Sequence, residues 1–272
     1  LLNEESFRVF VLTHLNRLDL SEKSKEKIRD FLSLPNNLHI LTLYREEMSE
    51  GFSEQFNEII NSRLTNNSTE SNSDFISRLI NFIKEAHPSI KALYEGSAQV
   101  SEGFTVEEHT KMVLEQYFSQ KEFYLSNDLQ RSIQDKLDLQ NFNLEKFMIA
   151  LILFHDIGKS LGRDSSEQHI FTTPLIEPLM RRLGFDDKEI RLAETLIDND
   201  VLGEWQKGEI NNLVTVAREM QSLADAAGLD PRDYFKLQRL FYISDASSYQ
   251  NIKDRMHEIN GQLKFSVRCS EN

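Results

Sequence analysis

Residues 147–154 are apolar without exception. A helix drawn through them is apolar on every side, and such a helix is buried. Elsewhere the apolar positions recur with helical period. Phe7, Phe10, Val11, His14 and Leu15 line one face near the start, and Ser21 precedes a second helical stretch that ends near Leu34-Pro35. The segment 64–74 is polar and rich in Asn and Ser, which predicts a loop. A helix is predicted over about 75–87, with Phe75, Leu79, Ile80, Phe82 and Ile83 on its apolar side, and Pro88 interrupts it. Thr105 and Glu108 match a capping box at a helix start. Ser165 and Gln168 can cap another helix, whose regularity Pro174 and Pro178 limit. Ala193, Leu196, Ile197 and Asp200 fall on one helical face, with Asp198 pointing the other way. Asp230-Pro231 pairs an N-cap acid with proline at the first helical position. Near the end, Leu263–Val267 alternates apolar and polar residues, which fits a short strand.

These elements predict an all-α fold. The scarcity of glycine (10) and proline (5) argues against a turn-rich β architecture and for helices. The chain's 272 residues accommodate one large domain, or a domain with a smaller helical partner. The expected division is a helical N-terminal region over 1–90, with its polar loop, a helical domain over 91–255 and a tail or short strand over 256–272. No internal repeat is evident.

The net charge of −13 disfavours non-specific binding of long nucleic acid, because an acidic surface repels phosphate backbones. It does not exclude a small nucleotide, since a metal or a local basic pocket reverses the field locally. The single cysteine, Cys269, forbids an intrachain disulfide and suits a reducing compartment such as the cytoplasm. No apolar run reaches the roughly 20 residues of a membrane span. The first residues lack the basic start and apolar core of a signal peptide. The chain opens on Leu1 rather than Met, as a fragment of a longer protein would.

Three segments carry candidate chemistry. His109 lies in the first or second turn after the Thr105 cap and shares a face with Met112, Val113 and Gln116, so it points inward. On its own it reads as a hydrogen-bonded core histidine or as a ligand. His155-Asp156 follows the apolar stretch without a break. An ionised aspartate at the end of a buried helix is costly without compensation, and a divalent cation accepts both carboxylate oxygen and neutral imidazole nitrogen. The alternative is a helix C-terminus ended by Gly158, with His-Asp reaching solvent. Asp245 lies four residues after Phe241 and three after Tyr242, on an apolar helix face, where an inward carboxylate needs a partner. His14 and His39 are lone histidines and read as ordinary structural residues.

The order His109, His155-Asp156, Asp245, all on helices, resembles the HD phosphohydrolase superfamily, and Phe-His-Asp-Ile-Gly-Lys at 154–159 is similar to its central motif. The resemblance covers roughly residues 95–250. It implies an HD-type helical bundle, here with additional N-terminal helices, in which His109, His155, Asp156 and Asp245 hold one divalent metal. Two imidazoles and two carboxylates suit manganese, iron, nickel, magnesium or zinc. The ion lowers the pKa of bound water and offsets charge on a phosphoryl group. Lys159 either meets a substrate phosphate or is a solvated lysine at a helix C-terminus. Relatives with two metals add histidines after the central motif. This chain has His169 but places Asn199 and Asp200 where such relatives carry histidine, which puts a second metal in doubt. With two ions, Asp156 would bridge them, and His169 and Asp200 would bind the second. With one, His169 and Asp200 would orient water or act as general acid and base. Glu107 and Glu108 suit capping and surface roles.

The resemblance implies hydrolysis of a phosphoester, in a small nucleotide or related metabolite. Arg163, Arg181 and Arg182 either flank a phosphate or form surface pairs, and Trp205 and Tyr242 either stack on a base or pack in the core. Two alternatives stand beside this reading. One is a di-iron oxygenase resembling inositol oxygenases, which needs a second ligand set that the chain half supplies. The other is an inactive HD-fold scaffold, with residues 1–90 presenting a surface to a protein partner.

Overall fold

A computed structural model describes Arg29 and residues 51–64, 69–98, 103–161 and 168–249, together with the backbone of two strands at 256–259 and 262–265. The expected helices before residue 50, with His14 and His39, lie outside the described residues, as do Arg163, Ser165 and Cys269. In chain order the described helices are α1 (Phe52–Leu64), α2 (Asn72–Glu85), α3 (Pro88–Glu95), α4 (Val106–Tyr124), α5 (Asn127–Leu137), α6 (Leu144–Phe154), α7 (Gln168–Arg182), α8 (Asp187–Asp198), α9 (Val201–Lys207), α10 (Leu213–Ala227) and α11 (Pro231–Ala246). One 3-10 turn, Lys159–Leu161, lies between α6 and α7. The fold is all-α apart from a C-terminal hairpin, in which β1 (Met256–Ile259) pairs antiparallel with β2 (Gln262–Phe265). The alternation at Leu263–Val267 marks part of β2. Two strands alone do not change the fold class.

Several helix starts follow from local chemistry. Ser71 accepts the Asp74 N–H, so α2 begins inside the segment expected to be loop. Its buried face is Phe75, Ile76, Leu79, Ile80 and Ile83. Pro88 interrupts as expected, because it is the first residue of α3, where its missing N–H costs nothing. The His87 ring caps that helix, with Nδ1 accepting the Ser89 N–H. The capping box forms: the Thr105 N–H donates to Glu108 Oε2 at 2.8 Å, and the Glu108 N–H to Thr105 Oγ1 at 3.2 Å. Asp230 accepts the Arg232 N–H at the head of α11. The expected irregularity of α7 is not a break: one helix runs through Pro174 and Pro178, although each proline withdraws a backbone donor.

The described chain divides into two compact units. The first comprises the described residues up to His109 together with Leu153–Asp186. In it, α1, α2 and α3 share a unit with the His155-Asp156 turn. Lys84 on α2 pairs with Glu107 at the head of α4, and the Tyr94 hydroxyl donates to the Leu153 carbonyl at 2.6 Å. The second unit comprises Thr110–Ile152 and the residues from Asp187 on. Its α10–α11 turn rests on Gly228, whose φ of +72° favours glycine, and where a Cβ would lie 3.2 Å from Leu137 Cδ2. Side chains 147–154 are all buried, as an apolar helix surface requires.

Candidate metal centre

His109 is fully buried in the second turn of α4, where the Thr105–Glu108 box sets the start of the helix. His155 and Asp156 lie directly after α6, each 5% exposed. The alternative in which His-Asp reaches solvent is therefore not what the chain does. Gly158 explains how the turn stays inside. A Cβ there would lie 2.3 Å from the Thr172 nitrogen and 2.4 Å from the Phe171 carbonyl carbon. The Gly158 N–H donates to Thr172 Oγ1 at 3.1 Å. Only glycine lets the backbone of α7 pass so close.

Three nitrogens converge on one carboxylate oxygen, Asp156 Oδ2. His109 Nε2 is at 2.9 Å, His155 Nε2 at 3.3 Å and Lys159 Nζ at 2.5 Å. The two imidazole rings lie 5.5 Å apart between centroids, tilted by 47°. Burial pushes the Asp156 carboxyl up, but the charges of His155 and Lys159 and the imidazole nitrogens set close to its oxygen outweigh it. The group is held well below the ordinary carboxylate range. Lys159, only 6% exposed, is not a solvated lysine.

His109, His155 and Asp156, with half-buried Asp245 on α11, make up a His/His/Asp/Asp set compatible with a metal ion. Among the described residues it is the only such group of His, Cys, Asp and Glu. The donor chemistry fits a divalent ion of hard or intermediate character and does not select among metals.

The reading of Asp200 as the inward end of a helical face needs correction. Helix α8 stops at Asp198, and Asp200 is the N-cap of α9: its Oδ1 accepts the Gly203 N–H at 2.9 Å. A Cβ on Gly203 would sit 1.9 Å from Asp200 Oδ2, so the carboxylate lies flat against the glycine. Asp200 and Asp245 both bear on Tyr242, whose hydroxyl pKa is raised first by burial and then by these two carboxylates. His169 belongs to α7, but its side chain lies outside the described part. Glu108 caps α4 and Glu107 pairs with Lys84. Arg181 makes an exposed pair with Glu177 at 3.0 Å. Arg182 and Trp205 are half-buried.

Other positioning residues carry no strong sequence signal. Thr172 holds the His155–Gly158 turn. Tyr234 donates to the Thr195 carbonyl at 3.0 Å, and Gln238, 1% exposed, donates to the Asn199 carbonyl at 2.8 Å. These two bonds hold the α8–α9 junction that carries Asp200. The i, i+4, i+8 spacing of Tyr234, Gln238 and Tyr242 is the trace that sequence offers: a polar row along one side of α11.

No family model, curated protein or solved structure matches the chain. Among the described residues no helix is long and apolar enough to cross a membrane.

Proposed function

We propose that the chain is an HD-type metal-dependent phosphohydrolase acting on a phosphoester of a small nucleotide or related phosphorylated metabolite. The observation that carries the reading is the buried Asp156 carboxylate with two imidazole nitrogens facing the same oxygen. Replacing such a group with well-packed apolar side chains is often neutral or stabilising, so its presence in the core supports a role other than stability.

In this reading His109, His155, Asp156 and Asp245 hold one divalent ion. When bound, such an ion supplies hydroxide near neutral pH and offsets phosphoryl charge. The aspartate follows α6 directly and is buried, and it remains ionised because nitrogens surround it. Lys159 bears the charge that meets a phosphate oxygen. Asp200 and His169 are the candidates for holding or moving a proton of the attacking water.

The test combines metal content with turnover. Wild type and Asp156→Asn are loaded with a divalent-metal panel, desalted and analysed by elemental mass spectrometry, then assayed on phosphomonoesters and phosphodiesters. About one equivalent of metal in wild type, none in a folded Asp156→Asn, and phosphate release only by loaded wild type are expected. Undiminished hydrolysis by metal-free protein would overturn the proposal.

A further inference from the structure

A lysine meant only to greet a substrate would stand in solvent. Lys159 instead puts its ammonium against Asp156 Oδ2, the oxygen that both imidazoles face. A buried carboxylate requires a counter-charge, and here a side chain of the same turn supplies it. That oxygen is also the one a cation held by His109 and His155 would share. An ammonium has only protons to offer and no lone pair, so it cannot join an ion's ligand shell. Two cations at such separations repel strongly in a buried setting. Lysine and metal are therefore alternative partners of the same atom.

The backbone around Lys159 leaves little room to adjust. Its N–H donates to the Asp156 carbonyl at 2.9 Å, and the Leu161 N–H to the Gly158 carbonyl at 3.0 Å. On one side Gly158 is pressed against the backbone of α7. On the other, a Cβ on Gly96 would lie 2.3 Å from Ser160 Cβ, so the end of α3 abuts the turn. With the turn clamped on both sides, only the flexible four-carbon stem of Lys159 can move the charge away from Asp156.

We propose that Lys159 is a built-in stand-in for the metal: its ammonium neutralises Asp156 in the metal-free protein and must swing out when a divalent ion binds. The residue thereby sets the affinity threshold for the ion, and the displaced ammonium becomes the charge available to a phosphate. This rests on the metal reading above.

The test is Mn2+ binding by isothermal titration calorimetry to wild type, Lys159→Met and Lys159→Arg, with thermal melts in chelator and in Mn2+. Removing the competing charge in Lys159→Met is expected to tighten Mn2+ binding by about tenfold or more, whereas Lys159→Arg, which keeps the charge, gives no tightening. In chelator, Lys159→Met is expected to melt below wild type, and saturating Mn2+ closes that gap. Where Met is not tolerated, Lys159→Gln keeps a hydrogen-bond donor without the charge, and the same tightening is expected. Wild type that binds Mn2+, with a neutral variant binding equally or more weakly, overturns the stand-in role and leaves the metal reading intact. Wild type and neutral variants that all fail to bind Mn2+, and retain no other ion when exposed to the divalent-metal panel, overturn both.

Discussion

Asp156 and Asp200 both follow the end of a helix, and the chain treats them in opposite ways. Asp200 is half-buried and occupied by its own neighbourhood: it caps α9 through the Gly203 N–H and lies flat on Gly203. Asp156 is buried, and side-chain nitrogens from α4 and from its own turn converge on one of its oxygens. A carboxylate that finds a backbone donor three residues on has one oxygen satisfied locally. One denied it, in a turn clamped by Gly158 and Thr172, must find charged or metal partners.

That contrast breaks most sharply at Asp156. Asp156→Ala strands the Lys159 ammonium in the interior and is expected to cost the metal-free protein about 3–5 kcal/mol, measured by urea denaturation. A loss below about 1 kcal/mol would mean that the cluster is not a buried charge network. Gly158→Ala comes next. Its Cβ meets backbone rather than a movable side chain, so about 2–3 kcal/mol of destabilisation is expected. Calorimetric melting checks it, and unchanged stability would show that α7 is not clamped on the turn.

A smaller effect is expected at the other carboxylate. Asp200→Ala removes an N-cap and costs about 1 kcal/mol, while Asp200→Asn retains the cap and costs a few tenths. Both are expected to keep the metal content of wild type. Loss of metal in a folded Asp200→Asn would erase the contrast with Asp156.

The smallest effect marks what a half-buried surface carboxylate contributes. Burial pushes Asp233 up, but bonding to Lys236 and Ser132 outweighs it and lowers its pKa. A carboxylate lowered in the folded state stabilises above its unfolded pKa of about 3.9, and that contribution is lost as pH falls through the lower folded value. The half-buried, solvent-screened group contributes under about 0.5 kcal/mol. Comparing Ser132→Ala with wild type by urea denaturation at pH 6 and pH 3 should show a difference at pH 6 that shrinks at pH 3. A larger difference at pH 3 would contradict the sign.

What the sequence alone determined was local. The Thr105–Glu108 box, the Asp230-Pro231 start and the apolar run 147–154 within α6 each depend on residues within a turn or two of one another, so spacing and chemistry are enough to read them. Periodicity also carried His109 inward. It failed at Asp200, because a face projected along a helix does not reveal where the helix stops, and α8 ends at Asp198. Only the tertiary structure decided that His155-Asp156 stays inside instead of reaching solvent, since that depends on Thr172 and the backbone of α7 meeting Gly158. It likewise decided that Lys159 points at Asp156. A lysine after a helix is cheap in water and costly when buried, and which holds depends on the distant segments, α3 and α7, that pack against the turn.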